Sequence, residues 1–85
     1  DWRQAKVEVM REALWAKFAY NKRVRGLLLE TGEAMLINHS KDTFWGDGLD
    51  GQGKNILGQL LMELRTRLQH EPLSPQPHTI EPLVA

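Results

Sequence analysis

The chain has no cysteine, which excludes a disulfide framework and a thiolate zinc site and leaves the redox compartment unread. It has no excess of either charge. Eleven Lys and Arg balance eleven Asp and Glu, so no net field draws it to nucleic acid or to an anionic membrane, although local patches remain open. It has no apolar run longer than a few residues, against the ~20 that span a bilayer; the expectation is a soluble, cytoplasmic protein without membrane contact. His39, His70 and His78 are scattered, without the i, i+4 pairing of a helical metal site, so no metal or other cofactor is expected. The chain begins at Asp1 without methionine or a charged-then-apolar leader, so no targeting signal is read and a part of something longer is expected. Its 85 residues allow one small, marginally stable domain at most, for which a partner or a further segment is a natural complement.

What is present is mainly helical. From Trp2 to Asn21, Val7, Met10, Leu14 and Phe18 recur three and four apart, the spacing of one helix face. Asp1 stands at the N-cap, and Trp2, Trp15 and Tyr20 widen the stripe, predicting a helix packed on more than one side. A short second helix follows, from Lys22, Arg23 and Arg25 through Val24, Leu27 and Leu28 to a C-terminal Gly32. Ala34, Met35, Leu36, Ile37 and Asn38 form a brief apolar run that suits a short strand or an extended buried segment, with the weight on extended. Ile56, Leu57, Leu60, Leu61, Leu64 and Leu68 then keep helical spacing, with Glu63, Arg65, Arg67 and Gln69 placed on the other face. Gly58, early in this third helix, predicts close packing or a ligand. From Glu71 onward come all four prolines, so 71–85 is expected to be a flexible tail; Pro72-Leu73-Ser74-Pro75 has the Pro-x-x-P spacing of recognition peptides, a pattern common by chance.

Between the second and third helices lies the stretch from Asp42 to Gly58, where Gly46, Gly48, Gly51 and Gly53 alternate with Asp42, Asp47, Asp50, Phe44 and Trp45. Three generic motifs compete for it, and none fits well. Gly48 to Lys54 has the spacing of a P-loop, but Asn55 stands where Ser or Thr would bind magnesium, and no apolar strand precedes it. An EF-hand loop counted from Asp47 puts Leu49 and Gly58 at ligand positions. Gly46 to Gly51 matches Gly-x-Gly-x-x-Gly, again without the strand. What the three motifs share is a glycine-rich turn running into a helix start at Asn55, which predicts unpaired backbone N–H groups and a positive dipole end suited to phosphate, with Lys54 adding charge. Asp42 and Asp47 would stabilise positive charge or activate water, and Trp45 would stack on a base. The competing reading is that glycine and aspartate simply make turns while Trp45 plugs the core; the loop alone favours it slightly. Lys17 with Asn21, on a helix flank, is either solvated or a phosphate contact. Lys22, Arg23 and Arg25 are either a solvated cluster or a nucleic-acid contact with steep salt dependence.

Taken whole, Asp1-Trp2, Lys6, Met10, Ala16-Lys17-Phe18, Asn21, Leu28, Thr31-Gly32, Ser40, Asp42, Trp45-Gly46, Gly48, Gly51, Gly53, Asn55, Leu57-Gly58, Leu61-Met62 and Arg65 resemble the YbiA-like, or NADAR, family. The most specific part is Asp-x-x-Trp-Gly-x-Gly followed by Gly-x-Asn-x-Leu-Gly-x-x-Leu-Met-x-x-Arg, between Asp42 and Arg65. The resemblance implies a compact, mainly α domain, of which residues 1–70 are the C-terminal part, with a short extended segment and a Gly-rich loop leading into the last long helix. It implies an N-glycosidase acting on ribosylamine intermediates of riboflavin biosynthesis or on ADP-ribose carried by guanine, with a non-catalytic ADP-ribose or NAD-binding module, or an inactive incomplete fragment, as the alternatives. On this sequence the implied catalytic carboxylates are Asp42 and Asp47, with substrate binding by Trp45, Gly46, Gly48, Gly53, Lys54, Asn55 and Lys17. The implied partners are a nucleotide or ribosyl-phosphate small molecule, ADP-ribosylated nucleic acid, and a partner chain that supplies the family's N-terminal half. Where the family's extended run ends in glutamate, this chain has Asn38 and His39.

Overall fold

The first two helices start where a side chain satisfies free amides of the first turn. In the computed structural model, which describes residues 1–70, α1 spans Trp2–Ala19. Asp1 Oδ1 accepts from the Arg3 and Gln4 amides at 2.6 and 3.1 Å, a capping box completed by the Gln4 side chain. The second helix, α2, spans Lys22–Glu30 and is capped by Asn21, whose side chain accepts from the Val24 amide at 3.2 Å. It stops at Thr31, with Gly32 beyond it at φ 63°, the left-handed residue expected after a helix end. The third, α3, spans Ile56–His70. Among the described residues there is no strand, and no helix is long and apolar enough to cross a membrane. The proline-rich stretch from Glu71, with its Pro-x-x-P spacing and His78, lies outside the described residues.

The three helices pack on one another around Leu28, Leu64 and Leu68, against which Leu14, Trp15, Phe18, Leu29, Leu36 and Leu61 are partly buried. The predicted stripe of α1 is real, and of its predicted widening one residue of three holds. Trp2 and Tyr20 are 74% and 75% exposed; of the three added aromatics only Trp15 joins the core, with the Arg67 guanidinium 3.7 Å above its ring. A second correction concerns α3. Arg65, expected on the solvent face, is buried and donates to Thr31 Oγ1 at 2.7 Å.

Residues 35–39 carry neither helix nor strand. Exposure alternates along them, with Met35 and Ile37 out and Leu36 and Asn38 partly in, so only every second residue of the apolar run is covered. This run is held to α3 by Asn55, whose Oδ1 accepts the Asn38 amide at 2.8 Å and whose Nδ2 donates to the Leu36 carbonyl at 3.0 Å. Gly58 is where the two pass. A β-carbon there would overlap the Leu36 carbonyl oxygen and lie 2.6 Å from Asn55 Oδ1, so close packing accounts for the glycine.

Candidate active site

The loop between α2 and α3 is organised by two aspartates that use their carboxylates differently. Asp42 Oδ1 accepts the amides of Phe44 and Trp45 at 2.8 and 2.7 Å, closing a turn over 43–45. The Trp45 and then the Phe44 amide, with Lys6 nearby, hold this exposed carboxyl below its ordinary value, so it is ionised at neutral pH. The two aromatics meet edge to face with centroids 4.8 Å apart. Lys6 reaches over from α1, its Nζ 4.0 Å above the Phe44 ring and 5.8 Å from that of Trp45.

Asp47 is the buried member. Its Oδ1 accepts the Leu49 amide at 2.9 Å and the Ser40 amide at 3.3 Å, and its Oδ2 lies 2.8 Å from His39 Nδ1. The His39 contact, followed by the Leu49 amide, lowers its pKa. His39 itself is largely exposed. Beside this pair the Ser40 hydroxyl is buried without a hydrogen-bond partner. It lies against Gly46, whose missing β-carbon would overlap it.

The glycines serve backbone crossing. At Gly53 a β-carbon would overlap the Gly46 carbonyl oxygen and sit 2.6 Å from the Asp47 carbonyl carbon. Two loop segments therefore cross at a distance only hydrogen permits. The amides that open α3 are occupied, against the sequence expectation. Those of Lys54, Asn55, Ile56 and Leu57 donate to the carbonyls of Thr43, Gly46, Phe44 and Trp45 at 2.9–3.0 Å. The loop thus satisfies the helix start itself, in place of an anion. Asn55, at φ 53°, spends both side-chain polar atoms on the 36–38 run.

A cleft of about 520 Å³ lies between the first turns of α1 and the loop, lined by Arg3, Gln4, Val7, Glu8, Phe44, Lys54 and Ile56. Of the residues expected to bind substrate, Lys54 lines it directly. Asp42 and Trp45 adjoin it through Phe44 and Lys6. Asp47 and Gly46 belong to the His39 and Ser40 side, Gly48 sits at φ 73° in the 48–51 turn, and Lys17 is exposed in the last turn of α1, ~14 Å along the helix from Glu8. Phe44, named in the sequence only as part of the loop's aromatic pair, Lys6, named only in the family pattern, and Arg3 were given no site role there; the packing of α1 on the loop brings them to the cleft. Among the described residues no group of three or more His, Cys, Asp or Glu is placed to hold a metal ion.

A helical scaffold that presents an aspartate-capped aromatic turn ahead of a glycine-crossed helix start defines a class by the pattern of its loop. The chain belongs to the NADAR domain family, which it matches over residues 1–69. It is 51% identical over 72 residues to the N-glycosidase YbiA of Escherichia coli (strain K12), covering 84% of this chain and 45% of that protein. It is 50% identical over 74 residues to a riboflavin biosynthesis protein of Vibrio vulnificus, 85% of this chain and 20% of the relative. It is also 45% identical over 67 residues to the chloroplastic riboflavin biosynthesis protein PYRR of Arabidopsis thaliana, 78% of this chain and 11% of the relative. The chain thus spans somewhat less than half the length of the YbiA relative. No solved structure matches it.

Proposed function

We propose that this chain is the C-terminal part of an N-glycosidase that hydrolyses the bond between ribose C1 and nitrogen, completed by a partner chain or segment that supplies the N-terminal half of the unit. The substrates in this reading are ribosylamine intermediates of riboflavin biosynthesis or ADP-ribose on guanine, the latter including ADP-ribosylated nucleic acid. The names of the relatives support the reaction class. The observation that carries it is Asp42, a carboxylate kept ionised by two backbone amides, next to an aromatic pair and a lysine.

As the C1–N bond breaks, positive charge spreads over C1 and the ring oxygen, and a fixed carboxylate stabilises it. Asp42 supplies that charge. Water forms the new C1–O bond, and the leaving nitrogen keeps the bonding electrons and takes up a proton. Trp45 stacks on the base or ribose, while Lys54, with Arg3 lining the same cleft, receives phosphate. Asp47, with both oxygens engaged, acts by orienting His39. Gly46, Gly48, Gly53 and Asn55 contribute by shaping the loop, and Lys17 requires a substrate that extends along α1.

The reading is tested by assaying ribosylamine and ADP-ribosylated guanine with the chain supplied together with the N-terminal portion of a relative. Turnover lost on Asp42→Ala is the expected result; unchanged turnover would remove Asp42 from the mechanism. A second reading, a non-catalytic ADP-ribose or NAD-binding module, is favoured by Asn38 and His39 standing where the family's run ends in glutamate. Binding by calorimetry without hydrolysis would select it, and neither binding nor a cooperative melt would mark an incomplete fragment.

A further inference from the structure

One groove takes no part in that reaction. It runs between α1, α2 and residues 36–38, with Phe18, Leu28, Leu36, Leu57 and Leu61 among its walls and a volume of about 470 Å³. Leu27 and Ile37, which also line it, are 52% and 57% exposed. Behind Thr31, one of its lining residues, lies a buried cation. Leu57, Leu61 and Arg65 follow at i, i+4 and i+8 along one ridge of α3, and Thr31, a further lining residue, accepts the Arg65 hydrogen bond. Arg65 is only 6% exposed, and among the described residues no carboxylate stands within ion-pair distance of it.

A guanidinium taken out of water with one neutral hydrogen-bond partner lacks the charge that normally balances its desolvation. A mostly aliphatic trough with such a cation one hydrogen bond behind its Thr31 wall suits a polypeptide with apolar side chains and one acidic group. A nucleotide would bury its polar edges against leucine. The chain covers 45% of the YbiA relative, so that protein holds a comparable further length of polypeptide, which in the proposed reading packs against this part.

We propose that this groove is the docking site for the N-terminal portion of the NADAR domain, which lays apolar side chains along Leu36, Leu57 and Leu61 and sets an Asp or Glu carboxylate on Arg65. The proposal rests on the reading that the catalytic unit needs that portion. Since the chain has no cysteine, Ile37→Cys gives a single thiol at the groove. The comparison is between the 85-residue chain and a cysteine-free chimera in which this chain replaces the matching region of the E. coli relative.

The introduced thiol should react with a disulfide reagent roughly tenfold or more slowly in the chimera than in the 85-residue chain or the urea-unfolded chimera. Arg65→Met should raise or leave unchanged the Tm of the 85-residue chain, where it removes an unbalanced buried charge, and lower that of the chimera, where it breaks an ion pair. Equal labelling rates, or Tm shifts of the same sign, would overturn the proposal. So would protection already present in the 85-residue chain, whether it is lost on truncation after His70, making residues 71–85 the occupant, or on dilution, making a second copy the occupant. The chimera also separates the two readings. Hydrolysis with an unprotected thiol retires the docking alone, whereas a protected thiol without hydrolysis supports the docking and retires the glycosidase reading.

Discussion

Replacing Asn55 by alanine should cost more than any other single polar truncation in the loop, because three effects coincide at one residue. Its Oδ1 accepts the Asn38 amide at 2.8 Å, its Nδ2 donates to the Leu36 carbonyl at 3.0 Å, and its backbone sits at φ 53°. Each partly buried backbone group left without a partner costs ~1 kcal/mol, and a β-carbon held in the left-handed region costs alanine ~1 kcal/mol that asparagine largely escapes. The sum is about 3 kcal/mol. At roughly 4–8 °C per kcal/mol for a domain of this size, that lowers Tm by about 12–24 °C. Asn55→Gly loses the same two bonds but relaxes the backbone, so it should recover ~1 kcal/mol of the loss. Thermal unfolding followed by circular dichroism measures both variants. If alanine and glycine melt together, the backbone contribution is wrong. If neither variant moves the midpoint beyond a few degrees, Asn55 is not the stitch between residues 36–38 and α3. The ligand-binding role that the sequence suggested would then be the better account, and calorimetry with ADP-ribose would follow.

Two glycines should respond in opposite directions. Gly26 lies inside α2, and a β-carbon there would meet nothing within 4 Å, so Gly26→Ala should stabilise by ~0.5–1 kcal/mol, whereas Gly53→Ala forces backbone apart from backbone and should destabilise by about 2 kcal/mol or more; urea midpoints distinguish them. The Asp47 carboxyl is held below its ordinary value near 3.8, so its stabilisation is complete above that value and is lost as pH falls through the lowered one. Asp47→Asn should therefore melt below the parent chain at neutral pH and converge with it in acid; parallel curves over the whole range would contradict the His39 and amide contacts. Lys6→Met keeps the aliphatic stem but removes the cation above Phe44, and should cost ~0.5–1 kcal/mol, read by thermal unfolding in low salt.

What the sequence made legible was periodic or local. The stripes Val7, Met10, Leu14, Phe18 and Leu57, Leu60, Leu61, Leu64, Leu68 announce two helices because burial repeats at the helical period, and Asp1, Asn21 and Gly32 mark ends because capping involves neighbours in sequence. Arg65 failed the same test for a physical reason. Binary patterning places every charged residue outside, yet Arg65 follows Leu57 and Leu61 on the inward ridge of α3 and is covered where α2 ends at Thr31. The cleft is a harder case, since Lys6 meets Phe44 and Trp45 only after α1 packs on a loop almost forty residues away. The loop shows how a composition can suggest one use and serve another. Glycines before a helix start read as a phosphate cradle when the amides are free, but here the carbonyls of Thr43, Phe44, Trp45 and Gly46 occupy them. The glycines are needed because that self-capping brings two backbone segments into contact. In the proposed reading a ligand at this site is therefore recognised by side chains, Asp42, Trp45, Lys54 and the α1 face, and Asp42 couples that recognition to the fold because it also holds the Phe44 and Trp45 amides.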